Sequence, residues 1–393
     1  MTFETTSRPV RLGVIGLGRA FMLMLPAFRA DLRVKLVAAC ELQPESRVRF
    51  ESEFGGRSYQ EVAELCSDAE VEAIYIATPH QMHAEHAIMA AEAGKHILLE
   101  KPLAVTMEDG RRIVEAAESA GVHLIVGPSH SFDTPVAAAR RLIESGELGR
   151  VRMLQAFNYT DFLYRPRRRE ELRTEEGGGV VFSQGVHQID IVRLLAGGLG
   201  RDVVALTGAW DPERPSEGAY SALVTFEGGC FASLTYSGYA HFDSDVWMDG
   251  VSELGYLKNA PYGVARAALR RSSGAKYEIA LKTARTYGGG ESPRQADRYE
   301  HFGPILVLCD HGDIRLTPSG LLVCRDFSSE FQTSLPVRNN RAEVIDALVS
   351  AVRHGQPPTQ SGRWGLASLE VCHAILRSSA DRASVQLKEQ IAL

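Results

Sequence analysis

The stretch Ile97-Leu98-Leu99-Glu100-Lys101-Pro102 decides how this chain of 393 residues is read. Three aliphatic residues close on an acid, a lysine and a proline. An unbroken apolar run of this kind suits the fourth strand of a parallel sheet covered by helices on both faces, where polar residues come only at the carboxyl edge. Pro102 stops the strand, so the Lys101 ammonium projects past the edge at which open α/β sheets bind ligands. A lysine taken at random would sit on a surface loop. The strand it ends makes Lys101 the first candidate for chemistry.

Strands and helices alternate on both sides of this stretch. Upstream, residues 71–77 read as a strand ending in Thr78-Pro79-His80-Gln81-Met82-His83, with a helix over 83–93 and an earlier helical segment over 59–66. Downstream, a helix over 107–120 leads to a buried strand over 122–126 and Gly127-Pro128. Farther out, residues 35–40 form a strand ending in Glu41. Residues 10–15 run into Gly16-Leu17-Gly18-Arg19-Ala20-Phe21 and a helix over 22–29. The alternation predicts a right-handed, doubly wound parallel sheet in the first 130 residues.

The glycine turn lets the backbone approach a pyrophosphate whose charge is held by amides at the helix N-terminus, among them those of Arg19 and Ala20. The match is partial, because the third glycine position holds Phe21. Glu41, 23 residues after Gly18, is placed to accept the ribose hydroxyls and would repel a 2′-phosphate, which favours NAD over NADP. Arg47 and Arg49 keep NADP open, although both also suit the solvated face of a helix over 44–54. His80, His83 and His86 step by three, which spreads them over about 200° of a helix. They are expected at the cofactor edge or in a structural role, and no metal site is expected.

Beyond residue 130 the rhythm changes. A helix over 135–145 precedes a strand over 151–159. Short β-rich segments follow near 203–209, 219–226, 230–239 and 246–253, then at 305–309, 312–316 and 320–324, with closing helices over 341–353 and 366–376. These predict a second, α+β domain over 131–393 with a largely antiparallel open sheet. Residues 255–302 mix glycine, arginine and tyrosine without period and are read as an irregular excursion without chemistry. The second cluster of chemistry is Gly177 to Asp190, where a glycine turn feeds a helix bearing Ser183, Gln184, His187 and Asp190. Steps of four and three bring Ser183, His187 and Asp190 to neighbouring faces. A histidine accepts a proton from an alcohol near neutral pH, and a nearby ammonium polarises the oxygen.

Composition narrows the classes. A hydrophobic share of 45%, a charged share of 23% and a net charge of −6 describe a globular protein with no electrostatic reason to bind nucleic acid. No run approaches the roughly 18 apolar residues that span a bilayer, and residues 1–9 lack a signal-type apolar core, so no membrane partner is expected. The six cysteines are scattered without a Cys-x-x-Cys pair, which fits a reducing cytoplasm.

Taken together, the glycine turn, Ala77-Thr78-Pro79, Glu100-Lys101-Pro102 and Gly185-Val186-His187-Gln188-Ile189-Asp190 resemble the Gfo/Idh/MocA oxidoreductases over nearly the whole chain. The resemblance implies a Rossmann domain binding the dinucleotide through Gly16, Gly18, Arg19, Ala20, Glu41, Thr78, Pro79, His83 and Glu100. It implies hydride transfer from a hydroxyl carbon with Lys101 and His187 in the catalytic positions. It also implies a C-terminal domain that binds a small-molecule substrate and forms a homodimer or homotetramer. Many sugar and polyol dehydrogenases of the family carry an aspartate where this chain has Ser183. Tyr164 to Leu172, Phe182-Ser183-Gln184 and Gly362-Arg363-Trp364-Gly365 look more like the phthalate cis-dihydrodiol dehydrogenase branch. Arg165, Arg167, Arg168, Arg169 and Arg173 lie just upstream of the Gly177 to Asp190 segment. One or two of them, Arg165 and Arg167 first, can meet a substrate carboxylate, although their interleaving with Glu170, Glu171, Glu175 and Glu176 equally suits a solvated, self-paired surface. With Ser183, Gln184 and Asp190 as further substrate contacts, the substrate expected is a cyclic diol such as a phthalate cis-4,5-dihydrodiol. The alternatives are a sugar or inositol dehydrogenase, an NAD-dependent glycoside hydrolase, and a dinucleotide sensor without catalysis.

Overall fold

In the computed structural model of the chain, the described residues are 8–258, 263–271, 275–290, 295–334 and 340–393. Residues 1–7, read above as free of a targeting segment, and residues 259–262, 272–274 and 291–294 of the irregular stretch lie outside them. The first part of the chain runs β1 (Val10–Ile15), α1 (Arg19–Ala30), β2 (Val34–Cys40), α2 (Pro44–Phe54), β3 (Arg57–Tyr59), α3 (Val62–Ser67), β4 (Ala73–Ile76), α4 (His83–Glu92), β5 (His96–Leu99), α5 (Met107–Ser119) and β6 (Leu124–Val126). There follow α6 (Thr134–Glu144), β7 (Val151–Tyr159), α7 (Val186–Ala196), β8 (Gly200–Gly208), β9 (Ala219–Phe226), β10 (Phe231–Ser237), α8 (Val264–Arg271), α9 (Ala275–Thr283), β11 (Ile305–Cys309), β12 (Asp313–Thr317), β13 (Gly320–Arg325), β14 (Ser328–Thr333), α10 (Ala342–His354), α11 (Gly362–Asp381) and β15 (Val385–Gln386).

Packing divides the chain into two compact units. The first comprises Met1–Pro128, Thr283–Gln295 and Arg341–Gly365, and the second Ser129–Lys282, Ala296–Asn340 and Leu366–Leu393. The sequence suggested one cut near residue 130. Two later stretches also pack with the first unit.

The first unit is built on a six-stranded sheet ordered β3-β2-β1-β4-β5-β6, with every pair parallel. This is the doubly wound order, and its switch point falls between β1 and β4. Apart from β2 and the edge strand β3, the strands are largely buried on both faces, as in Ala73–Ile76, where all four residues are buried. The strand before Lys101 is the fifth in the chain, because β3 adds a short polar edge that its composition did not announce. The late stretch is bound in by Arg353, whose Nη2 donates to Glu72 Oε2 at 2.8 Å and to the Pro9 carbonyl at 2.8 Å.

The second unit holds a nine-stranded sheet ordered β14-β13-β12-β11-β7-β10-β9-β8-β15. All its pairs are antiparallel except β7 with β10. Period-two alternation sets one face inward: Leu154, Ala156, Val203, Ala205, Ala222, Val224, Ile305 and Val307 are buried. Helix α7 packs on β7 and β10 on that side.

Two expectations fail here. The strand expected over 246–253 is a tight turn, Ser244–Met248, in which the Asp243 side chain accepts the Asp245 N–H; only Val251 bridges, to Leu257. Local side-chain capping has overridden the β-branched run. The stretch read as irregular contains α8 and α9, whose Ala, Arg, Leu and Lys are strong helix formers hidden by the glycines around them. The strand β14 was also missed, since Ser328–Thr333 is a mostly exposed polar edge.

Candidate active site

At the switch point of the first unit, Gly16 has φ +88°, and a Cβ there would stand 3.1 Å from the Ala77 carbonyl oxygen and from Thr78 Cγ2. Only glycine suits both the backbone and the gap. Gly18 caps the N-terminus of α1, bringing the Arg19 and Ala20 amides to the first turn. Glu41, just past β2, is held against this turn. Its Oε2 accepts the Leu17 N–H at 2.8 Å and its Oε1 the Gln43 N–H at 3.1 Å. Arg47 Nη1 folds back onto the Glu41 and Leu42 carbonyls at 2.6 and 3.0 Å. The cradle at Gly16, the helix N-terminus and the acid after β2 fit a dinucleotide.

At the ends of β4 and β5, the fully buried His83 places Nδ1 2.9 Å from the Pro102 carbonyl oxygen and Nε2 3.1 Å from that of Thr78. Burial pushes this imidazole down to about 4. It is neutral and donates to one carbonyl only. His86 Nδ1 lies 3.1 Å from Thr78 Oγ1. These two histidines thus tie the strand ends that carry Thr78-Pro79 and Lys101-Pro102. Beside Lys101, the buried Glu100 accepts the Tyr75 hydroxyl at 2.6 Å. Burial raises its carboxyl, against the pull of Lys101 and Arg341.

In the second unit, a wide π turn over Val181–Gly185 leads into α7. From Val180 to Val192, Ser183, Gln184 and His187 are the half-exposed residues and the others are buried. Residues i, i+1 and i+4 share a face, so these three form the open side of the helix. Ser183 Oγ donates to the Gly179 carbonyl, and the Tyr236 hydroxyl reaches Gln184 Oε1 at 3.4 Å. Asp190 is buried, with Oδ2 accepting from Ser131 at 2.6 Å and Oδ1 from Ser368 at 3.3 Å. Its carboxylate ties α7 to two other parts of the unit.

Several residues that the sequence did not single out gather at His187. The His130 ring meets it at 4.8 Å and 68°, and the Phe302 ring at 5.2 Å. Phe302 also stacks on Tyr236 at 5.9 Å. His130 Nδ1 is 2.7 Å from Asp133 Oδ2. Burial works against charge on His130, but the carboxylates of Asp133, Glu300 and Glu253 outweigh it and raise its pKa. Among the described residues, His130, Asp133 and Glu300 bring potential ligand atoms within 4.8 Å of one another. The only local signal was position: His130 follows the last apolar strand of the alternating half by four residues. Phe302 and Glu253 lie too far along the chain for any periodicity to connect them with His187.

The arginine stretch splits in its environment. Arg165 Nη1 lies 3.3 Å from Glu253 Oε2 and its Nε 3.3 Å from Asp161 Oδ1. Burial disfavours its charge, yet Glu253 and Asp161 raise its pKa overall. Arg167 lies over the Phe162 ring at 3.5 Å, and its Nη2 donates to the Phe162 carbonyl at 2.8 Å. Its Nε is buried with no acceptor in reach among the described residues. Burial, with Arg165 and Arg214 adding like charge, pushes Arg167 down to about 10 against the pull of Glu171.

Residues 10–128 match the model of the oxidoreductase family with an NAD-binding Rossmann fold, and residues 136–256 that of the GFO/IDH/MocA C-terminal domain. The chain belongs to the Gfo/Idh/MocA family of oxidoreductases and is an NAD(P)-dependent dehydrogenase. It is 45% identical over 380 residues to the 1-carboxy-3-chloro-3,4-dihydroxycyclohexa-1,5-diene dehydrogenase of Comamonas testosteroni, covering 93% of this chain and 94% of that one. It is 34% identical to the 1,5-anhydro-D-fructose reductase of Ensifer adhaerens over 90% and 91% of the two chains. A crystal structure of a candidate dehydrogenase from Bordetella bronchiseptica RB50 superposes with a TM-score of 0.91 at 41% identity, covering 96% of this chain and 100% of that one. Among the described residues, no helix is long and apolar enough to cross a membrane.

Proposed function

We propose that this dehydrogenase oxidises a carboxylated cyclic cis-diol of the dihydrodiol type with NAD. The observation that carries the proposal is Arg167, a guanidinium whose buried Nε has no acceptor among the described residues and whose charge burial disfavours against the pull of Glu171. A substrate carboxylate would supply an acceptor and a further countercharge, since an arginine fork binds a carboxylate bidentately. Tyr236 lies within electrostatic reach of Arg165 and Arg167, and its ring stacks on Phe302 beside His187. The substrate named for the Comamonas relative carries a carboxyl group and vicinal hydroxyls on a cyclohexadiene, which supports the same class.

Bound NAD supplies the hydride acceptor. Lys101 hydrogen-bonds the hydroxyl oxygen and stabilises the negative charge it gathers as His187 takes the hydroxyl proton, and the oxygen electrons form the carbonyl bond as the carbon gives up hydride. The hydroxyketone so formed tautomerises to a catechol, its ring C–H proton leaving and a proton joining the carbonyl oxygen, and aromatisation drives the reaction forward. Ser183 and Gln184, beside His187, hold the second hydroxyl.

A homodimer or homotetramer is supported by the outer face of the nine-stranded sheet, which exposes Val204, Leu206, Leu223, Phe231 and Phe331. The six free cysteines suit a reducing cytoplasm. The anhydro-fructose reductase relative favours a second reading, a sugar substrate. A panel of carboxylated cis-dihydrodiols, uncarboxylated diols, anhydrosugars and inositols, assayed with NAD and NADP by nicotinamide absorbance, separates the two. Reduction of NAD with catechol formation from the carboxylated diols is expected; turnover of sugars alone overturns the reading. Lys101→Ala and His187→Ala should each lower kcat by about 10²- to 10⁴-fold.

A further inference from the structure

The chain returns to the first unit at Thr283–Gln295, a stretch whose sequence suggested no chemistry. Its centre is Tyr287, 1% exposed. The tyrosine ring meets Phe21 edge-on at 5.5 Å and 81°, and Phe54 at 6.4 Å. Arg49 lies over the ring at 4.8 Å, and the hydroxyl donates to Glu53 Oε2 at 2.8 Å. Ser46 Oγ donates to the Tyr287 carbonyl at 3.0 Å. The Tyr287 N–H in turn donates to the carbonyl of Leu17 at 3.0 Å.

Leu17 is the middle residue of Gly16-Leu17-Gly18. Its N–H is taken by Glu41 at 2.8 Å, and its carbonyl by Tyr287. Both peptide planes of the turn are therefore fixed, one by the acid after β2 and the other by the returning segment. In a trans peptide the C=O and the following N–H point in opposite directions. Anchoring the Leu17 carbonyl on Tyr287 thus aims the Gly18 N–H away from that segment, towards the side on which α1 begins. Phe21 completes the arrangement. It stands where the dinucleotide fingerprint has a third glycine, and its ring packs on Tyr287.

We infer that Tyr287 is a positioning residue for the dinucleotide: it braces the glycine turn from behind, so that the turn presents its amides to the pyrophosphate without having to order on binding. The Tyr287 main-chain N–H holds the Leu17 carbonyl and the ring packs on Phe21, so the residue acts through the turn and not by contact with the dinucleotide. The inference rests on the turn being the dinucleotide site and not on the identity of the alcohol.

The test is titration of the full-length protein with NADH, followed by nicotinamide fluorescence with no substrate present. Tyr287→Ala should weaken NADH by at least about tenfold, the loss expected when a binding loop must order on association. Tyr287→Phe, which keeps the ring contacts, should stay within about threefold. In turnover the Tyr287→Ala loss should fall on KM for NAD rather than on kcat. Amide exchange of residues 16–21 should quicken in the free variant and return towards the parent rate when NADH saturates it. Parental NADH affinity in Tyr287→Ala, or a loss confined to kcat, overturns the inference. Should Tyr287→Ala fail to fold, the double variant Ser46→Ala/Arg49→Ala, which removes the contacts that hold Tyr287 against the turn, should weaken NADH in the same direction, and unchanged NADH affinity overturns the inference equally.

Discussion

The imidazole of His130 stands edge to face against that of His187, with ring centres 4.8 Å apart, while its Nδ1 lies 2.7 Å from Asp133 Oδ2. Burial opposes charge on His130, but Asp133, Glu300 and Glu253 hold its pKa above the ordinary 6.5. A group raised on folding contributes stability in full below its unfolded pKa and loses it as pH rises through the folded value. His130→Asn should therefore be destabilised most at pH 5.5 to 6, by about 2 kcal/mol, the worth of a charge-assisted hydrogen bond. The gap to the parent should narrow above pH 7. Thermal melts from pH 5.5 to 9 test this, and a gap that widens with pH would contradict it.

Apart from the polar edge β3, the first unit was legible because its strands are largely apolar and its helices announce their ends. Thr106, for instance, caps α5 by accepting the Asp109 N–H. Lys101 and His187 were legible because each sits at the end of a recognisable local pattern. His130, Phe302, Glu217 and Tyr287 were not, since each gains its role from partners up to 270 residues away that no period connects, as with Tyr287 at Leu17. The turn over Ser244–Met248 was misread as strand because composition reports burial better than it reports a cap. Arg165 and Arg167 looked alike in sequence; the carboxylates that separate them arrive from Asp161, Glu171 and Glu253.

Glu41 bears on cofactor choice. Its carboxylate is held at the glycine turn by the Leu17 and Gln43 amides, so a 2′-phosphate there would meet a fixed negative charge. Arg47, whose Nη1 is committed to the Glu41 and Leu42 carbonyls, is not poised to answer it. Glu41→Ser should lower NAD affinity by about tenfold or more, since bonds to a charged group are worth roughly 1.5–3 kcal/mol. Glu41→Arg should tip the preference towards NADP. Calorimetric titration with both dinucleotides decides, and tighter NADP binding by the parent would sink the argument.

Glu217 fastens the turn that feeds α7. Its Oε1 accepts the Val181 N–H at 2.9 Å, its other oxygen the Thr174 hydroxyl, and its carbonyl the Val180 N–H at 3.1 Å. Gly179 has φ +77°, and a Cβ there would lie 2.1 Å from Glu217 Oε1. Gly179→Ala should cost at least about 2 kcal/mol, from the strained backbone and the clash together. Burial pushes the Glu217 carboxyl up to about 7 from its ordinary 4.5. Between those values the folded chain binds a proton that the unfolded chain does not, so stability falls as pH rises through this window. Glu217→Gln should flatten that fall. Urea unfolding at pH 4.5, 5.5, 6.5 and 7.5 measures the slope, and identical slopes in parent and variant would show that Glu217 does not titrate there.

Arg165 and Arg167 should respond differently to removal, and the difference tests the substrate. Arg165 neutralises Glu253 and Asp161, so Arg165→Ala leaves carboxylates unpaired inside the second unit and should lower stability and activity on every substrate. Burial disfavours the Arg167 charge against the pull of Glu171, and its sealed Nε lacks an acceptor among the described residues. Removing it relieves the unit of a cation that burial disfavours, so Arg167→Ala should melt within a few degrees of the parent or above it. Its cost should appear only where a carboxylate would have bound: at least about tenfold in kcat/KM on a carboxylated cis-diol, with little change on the same ring lacking the carboxyl group. Arg167→Lys should recover part of the loss, because an ammonium supplies the charge without the bidentate fork. Equal losses on carboxylated and uncarboxylated diols would show that Arg167 serves the fold and not the substrate.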